Sequence, residues 1–245
     1  MAYNVLVTGG SRGIGRQIAL QFAQKGNNII ITYNKTKELS ENFVAELQNN
    51  FNIKAFCKKV NMSNLSEIDQ LVEFATNKLG NIDILVNNAG ICIDKELYDR
   101  TVSQFVETFK INLFSVFELS KKIGERMYQN KFGKIINISS NNSINCFYPT
   151  TIDYDASKSA LNSLTRNLAI QFAPYVNVNA VAPGWIDTDM NKEVLTPDVA
   201  ELEVQRILKR RIGKPSDVAN LVEFLCSDKA EYINGEIIVI DGGMF

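Results

Sequence analysis

Seven short runs rich in Val and Ile recur along the chain, separated by longer segments whose apolar residues fall at helical spacing. They are NVLVT (4–8), NIIIT (28–32), IKAFCKKV (53–60), IDILVNN (82–88), GKIINIS (133–139), VNVNAVA (176–182) and EIIVID (236–241). Near-continuous apolar runs belong to strands buried on both faces. Alternation with helices therefore predicts an α/β protein with a parallel sheet covered on either side. With 245 residues, 45% of them hydrophobic and 22% charged, the chain can bury one such core, and no repeat, low-complexity run or long linker divides it. A single domain over 1–245 is expected.

The charge balance narrows the partners. A net charge of −1, with Lys and Arg mixed among Asp and Glu, gives no field for nucleic acid or anionic lipid, so a small molecule is favoured. Cys57, Cys92, Cys146 and Cys226 are widely separated and the chain has no histidine, so no metal site is expected. Without imidazole, Ser-His-Asp hydrolysis is excluded, and any proton must pass through Tyr, Lys, Cys or a carboxylate. The start MAYNVLV lacks the parts of a signal peptide, and no stretch approaches the ~18 apolar residues of a membrane span. A cytoplasmic protein without a membrane partner is expected.

The glycine pattern Gly9-x3-Gly13-x-Gly15 follows the first run and opens the segment IGRQIALQFAQKG. Ile14, Ile18, Phe22 and Ala23 share one helical face there, and Gly26 closes it. A glycine loop leading into a helix N-terminus points N–H groups and the positive end of the helix dipole at a pyrophosphate; the alternative is a tight turn with no ligand. After the second strand, where an NAD-binding chain places Asp or Glu on the ribose, ITYNKTKE has no carboxylate before Glu38. Arg12 and Lys35 are placed to hold a 2′-phosphate, which argues for NADP, unless both are solvated surface cations.

In YDASK, Tyr154 and Lys158 are four apart and share a helix face. A neighbouring ammonium is expected to lower the tyrosine pKa, making Tyr154 a general acid for a carbonyl or a base for an alcohol. Alone, such a pair also occurs on ordinary helix surfaces.

TGxxxGxG (Thr8 to Gly15), NNAG (87–90), NISS (137–140), YDASK (154–158) and APGWIDT (182–188) occur in that order. Together, and over the whole chain, they resemble the short-chain dehydrogenase/reductases. The resemblance implies a single-domain Rossmann fold with a seven-stranded parallel sheet, strand order 3-2-1-4-5-6-7, and helices on both faces. It implies that Tyr154 donates the proton and that Lys158 tunes it and bonds the nicotinamide ribose. Ser140 would hold the carbonyl, and Asn112 in KINLFS would support a water-linked proton relay. The cofactor would lie along Gly9, Ser11, Arg12, Gly13, Ile14 and Gly15, then Asn34 and Lys35. Asn61 and Met62 would meet adenine, and Asn88, Ala89 and Gly90 the adenosine side. Pro183, Gly184, Ile186 and Thr188 would surround the carboxamide. The stretch between Ser140 and Tyr154 is one residue longer than in many relatives, which leaves Ser139 and Ser143 as alternatives for the carbonyl; strand alternation favours Ser140.

Within the family the chain is similar to bacterial 3-oxoacyl-[acyl-carrier-protein] reductases, including the tail 211–245. That likeness implies NADPH-dependent reduction of a 3-oxoacyl group, a step of fatty acid biosynthesis. The alternative is an NAD(P)-dependent dehydrogenase of another small alcohol, sugar or hydroxysteroid. A non-catalytic nucleotide-binding scaffold is the remaining one, and the joint presence of Asn112, Ser140, Tyr154 and Lys158 speaks against it. An acidic carrier protein calls for cations at the pocket mouth. The segment 172–180 has none where such reductases present one, and Lys131 or the run Lys209, Arg210, Arg211 is left to serve. Residues 185–212 form a long connection, read as a substrate lid or as ordinary helical packing. The family likeness implies a homotetramer packed through 97–129, 154–173 and the last strand. The stripe Phe105, Phe109, Leu113 and Phe117 suits that arrangement or core packing equally.

Overall fold

Each apolar run becomes a strand: β1 (Asn4–Val7), β2 (Asn28–Tyr33), β3 (Ala55–Lys59), β4 (Ile84–Asn87), β5 (Gly133–Ile138), β6 (Val176–Pro183) and β7 (Ile237–Ile240). The computed structural model describes residues 2–192 and 194–245. All seven strands pair in parallel in the order β3-β2-β1-β4-β5-β6-β7, as expected. Between them lie α1 (Gly13–Gln24), α2 (Lys37–Asn50), α3 (Leu65–Leu79), α4 (Val102–Phe109), α5 (Ser115–Gln129), α6 (Ile152–Phe172), α7 (Pro197–Arg206) and α8 (Pro215–Cys226). A π-helical turn, Lys110–Phe114, joins α4 to α5.

The period-two geometry of the strands divides the core into two layers. Val5 and Val7 of β1 pack with Ile18 and Phe22 of α1, Phe43 and Leu47 of α2, and Val218 and Val222 of α8. Leu6, between them, faces Ile68 and Leu71 of α3, Leu119 and Ile123 of α5, and Leu168 of α6. Each such fully buried aliphatic side chain contributes about 1.5–3 kcal/mol relative to exposure.

The two sheet edges differ. β3 ends in Lys58 and Lys59, whereas no residue of β7 is buried and its Val239 is 38% exposed. Strand order reverses at β1, which lies between β2 and β4, and this opens a crevice beyond the carboxyl ends of the strands. Among the described residues no helix is long and apolar enough to cross a membrane, and no cluster of metal-ligating side chains occurs.

Candidate active site

A cleft of about 770 Å³ occupies that crevice. Its floor is the glycine loop. Gly9 has φ +64°, a left-handed conformation, and a Cβ there would lie 3.1 Å from Cα of Ala89. Thr8 Oγ1 accepts from the N–H groups of Asn88 and Ala89, each at 3.0 Å, and the Asn88 amide donates to the carbonyls of Thr8 (2.9 Å) and Gly9 (3.1 Å). Arg12, at the N-cap of α1, gives the helix no side-chain cap, so the first-turn N–H groups remain available to an anion.

Gly9, Ser11, Arg12, Gly13 and Ile14 line the cleft, but Gly15 does not. A Cβ on Gly15 would fall 2.4 Å from the Asn88 amide nitrogen, so this glycine lets α1 pack against the loop rather than touching the cleft. Thr188 faces the loop from the other wall, 3.3 Å from where a Gly13 side chain would begin. Pro183, Gly184 and Ile186 continue that wall.

At the far end the cleft is lined by Asn34 and Lys35, with Ser11 and Thr36 hydroxyls 2.8 Å apart. No carboxylate from the end of β2 reaches it, and among the described residues neither Arg12 nor Lys35 is in an ion pair. Asn61 lines the cleft beside Met62; its side-chain carbonyl accepts from Ser63 N (3.1 Å) and Oγ (3.0 Å), leaving the amide NH2 for a ligand. Asn88, Ala89 and Gly90 line it as well. An open helix N-terminus, unpaired cations and a glycine floor together suit a dinucleotide phosphate.

Ser140 at the end of β5 and Tyr154 and Lys158 on α6 meet in the middle of the cleft. Lys158 Nζ donates to the Ile138 carbonyl at 2.7 Å and lies 5.6 Å from the centre of the Tyr154 ring. Burial lowers the Lys158 pKa to about 8. The expected lowering of the Tyr154 pKa is not what the geometry produces. Burial raises it above the ordinary value near 10, the neighbouring Cys92 adds to the rise, and the Ser140 side chain opposes it. Desolvation of the phenolate outweighs the Ser140 hydrogen bond that opposes it, so Tyr154 keeps its proton at neutral pH, the form a proton donor needs.

The three candidate serines have different partners. Ser139 Oγ donates to Asn162 Oδ1 at 2.7 Å and lies 3.2 Å from Ser143 Oγ, which accepts from the Asn162 amide at 2.8 Å. Of the three, Ser140 is the one whose side chain bonds the Tyr154 hydroxyl. Asn112, fully buried in the π-helical turn, does not line the cleft; its amide donates to Ile91 O (2.9 Å) and Ser157 Oγ (3.0 Å), and its oxygen accepts from Ile91 N at 2.9 Å. It braces the loop after β4 rather than contacting Lys158 directly.

Several residues in or beside the cleft escaped the sequence reading. Tyr148 donates to Glu203 of α7 at 3.0 Å and accepts from Trp185 Nε1 at 3.1 Å, with its pKa pushed up to about 12, mainly by burial. Asp155 accepts from Asn142 Nδ2 and Thr151 Oγ1, both at 2.9 Å, and so ties the 141–151 loop to α6. Its signal was visible as the second acid of the triplet Asp153-Tyr154-Asp155. Met190, Val194, Val199 and Leu202 complete this end, so much of 185–212 walls the cleft, with α7 in its middle. Lys131 does not sit at the mouth: it precedes β5, at the opposite end of that strand from Ser140. Lys209 and Arg210 are exposed just past α7, and Arg211 pairs with Asp217 at 2.7 Å.

Comparison with known proteins agrees with this geometry. A family model described as enoyl-(acyl carrier protein) reductase matches residues 9–245. The 3-oxoacyl-[acyl-carrier-protein] reductase of Aquifex aeolicus is 39% identical over 98% of this chain and 96% of its own. A 7α-hydroxysteroid dehydrogenase complexed with NADH and 7-oxo glycochenodeoxycholic acid superposes with a TM-score of 0.94 at 34% identity, covering 99% of this chain and 94% of that one. A short-chain dehydrogenase of Burkholderia cenocepacia in complex with NADP gives 0.90 at 32% identity, covering 98% and 97%. The family model and these full-length relatives show that the chain belongs to the short-chain dehydrogenase/reductase family of oxidoreductases.

Proposed function

We propose that the protein is an NADP(H)-dependent carbonyl reductase acting on a 3-oxoacyl thioester, the acyl group being carried on acyl carrier protein. The observation that carries the cofactor choice is the wall after β2, where Arg12 and Lys35 line the cleft, neither in an ion pair among the described residues, and the end of β2 brings no carboxylate. A guanidinium and an ammonium there favour a 2′-phosphate by charge-assisted hydrogen bonds. The relatives named 3-oxoacyl-[acyl-carrier-protein] reductase favour the thioester.

When bound, NADPH supplies the hydride; the chain supplies the rest. The α1 N-terminus and Arg12 hold the phosphates, and Ile186 and Thr188 orient the nicotinamide carboxamide. Ser140 donates a hydrogen bond to the substrate carbonyl and fixes it beside Tyr154. Tyr154 gives its phenolic proton to the oxygen that becomes the alcohol, and the Lys158 ammonium stabilises the phenolate left behind. Residues 185–212 form the lid that excludes water from the reacting atoms.

A second reading rests on the substrate end, where Asn142, Tyr148 and Glu203 interrupt the apolar wall of Trp185, Met190 and Leu202. Such a lining also suits a hydroxylated ring or sugar alcohol. Turnover of acetoacetyl-CoA against a panel of sugars, polyols and hydroxysteroids, with NADPH and NADH in parallel, decides between them. The assembly we propose is a homotetramer. In support, the stripe Phe105, Phe109, Leu113 and Phe117 is outside the buried core, with Phe117 45% exposed.

A further inference from the structure

Asp153, the residue before Tyr154, has a fully buried side chain 2.6 Å from Nη1 of Arg100, whose own side chain is 3% exposed. Thr108 of α4 donates to the second carboxylate oxygen at 2.6 Å. From its other nitrogen, Nη2, Arg100 donates to the carbonyls of Ile93 (2.7 Å), Lys95 (3.2 Å) and Thr150 (2.5 Å). Nη1 and the facing carboxylate oxygen approach without hydrogen-bond alignment, and Nε has no partner, so charge holds the pair together.

A buried ion pair is a poor stabiliser, since apolar side chains of similar volume often serve as well or better, whereas breaking it leaves a naked buried charge. What this pair does is geometric. It joins the segment carrying Cys92 and Asp94, the loop carrying Thr150 and Thr151, and the first turn of α6 carrying Tyr154, and all five of those residues line the cleft.

We propose that Arg100 and Asp153 are positioning residues that hold the Tyr154 hydroxyl in register with Ser140 and the substrate carbonyl. The proposal rests on Tyr154 being the proton donor. A displacement near 1 Å at such a group costs on the order of 100-fold in rate.

The test compares Arg100→Met, Asp153→Leu and the double variant, with melting temperature, NADPH affinity and turnover per NADPH-binding site measured on the fastest carbonyl substrate of the panel. In the double variant, melting temperature and NADPH affinity return to near those of the parent, while kcat stays down about 100-fold. Recovery of kcat to within about threefold of the parent, together with stability, overturns the proposal. Arg100→Lys covers the case in which the double variant does not fold. A lone ammonium cannot serve Asp153 and three carbonyls at once, so NADPH binding persists while kcat falls at least about tenfold; unchanged kcat overturns the proposal. Tyr154→Phe, assayed alongside, separates the two ideas. If it turns over like the parent, the donor reading fails and takes the positioning claim with it. If it is inactive while the double variant is active, only the positioning claim fails.

Discussion

The Lys158 ammonium is anchored to the Ile138 carbonyl at 2.7 Å, directly beside the Tyr154 ring, and among the described residues it is in no ion pair. Its pKa is lowered to about 8 from an ordinary value of 10.5, while that of Tyr154 is raised. Activity and stability therefore respond to pH in opposite directions. The kcat/KM for carbonyl reduction falls above about pH 8 as Lys158 loses its charge; Tyr154 remains protonated and does not cause that limb. Stability contributed by this residue rises between pH 8 and 10.5, because there the unfolded chain binds its lysine proton and the folded one does not. Urea unfolding of the parent and of Lys158→Met at pH 7.5 and 9.5 isolates the effect: the difference in stability between them narrows as pH rises.

Tyr154→Phe deletes the proton donor while leaving the ring packing intact. Carbonyl-dependent NADPH oxidation drops about 100- to 10,000-fold, and NADPH affinity changes little. Stopped-flow turnover with fluorescence titration of NADPH measures both.

Arg12→Ala removes one charge-assisted contact to a 2′-phosphate, for which about 1.5–3 kcal/mol is expected, a loss of roughly 10- to 150-fold in NADPH affinity. NADH affinity is unchanged. Equal losses for both cofactors in a titration experiment would sink the phosphate assignment.

Tyr148→Phe leaves Trp185 Nε1 without its acceptor and removes one of the two donors to Glu203, which keeps Arg206. Stability falls by about 1–3 kcal/mol, and the tether between the 141–151 loop and α7 is cut. Because the tether holds a substrate wall and not the reacting atoms, KM for the carbonyl substrate rises more than kcat falls. Thermal melts and steady-state kinetics read the two effects.

Val102, Val106, Phe114 and Phe117 are exposed on the α4 to α5 surface, Val102 to 80%. If the proposed tetramer packs through this patch, Phe117→Glu places a charge in it and lowers the light-scattering mass from that of a tetramer to a smaller species, with the cleft intact by NADPH binding.

Most of the fold was legible because strands such as GKIINIS are isoleucine-rich runs buried along their whole length, as a doubly covered parallel sheet requires. The proposed catalytic residues could be picked out because such roles impose local spacing, as in the four-residue step from Tyr154 to Lys158. What escaped depends on contacts remote in sequence. Arg100 meets Asp153, and Tyr148 meets Glu203, only after β4, β5 and α6 have been assembled. The pKa of Tyr154 escaped for a related reason: helix spacing shows the neighbouring ammonium, but only the folded cleft shows how little water is left.

The unequal edges of the sheet constrain how copies of this chain can meet. Lysines at the end of β3 repel a further strand, whereas β7 offers an uncharged aliphatic border. Along the sheet, one open border permits a single edge-to-edge pairing, closed by a two-fold axis, and leaves the α4 to α5 surface for the second interface of the proposed tetramer. Two adhesive borders would have permitted an endless ribbon, and the lysines of β3 are what forbid it.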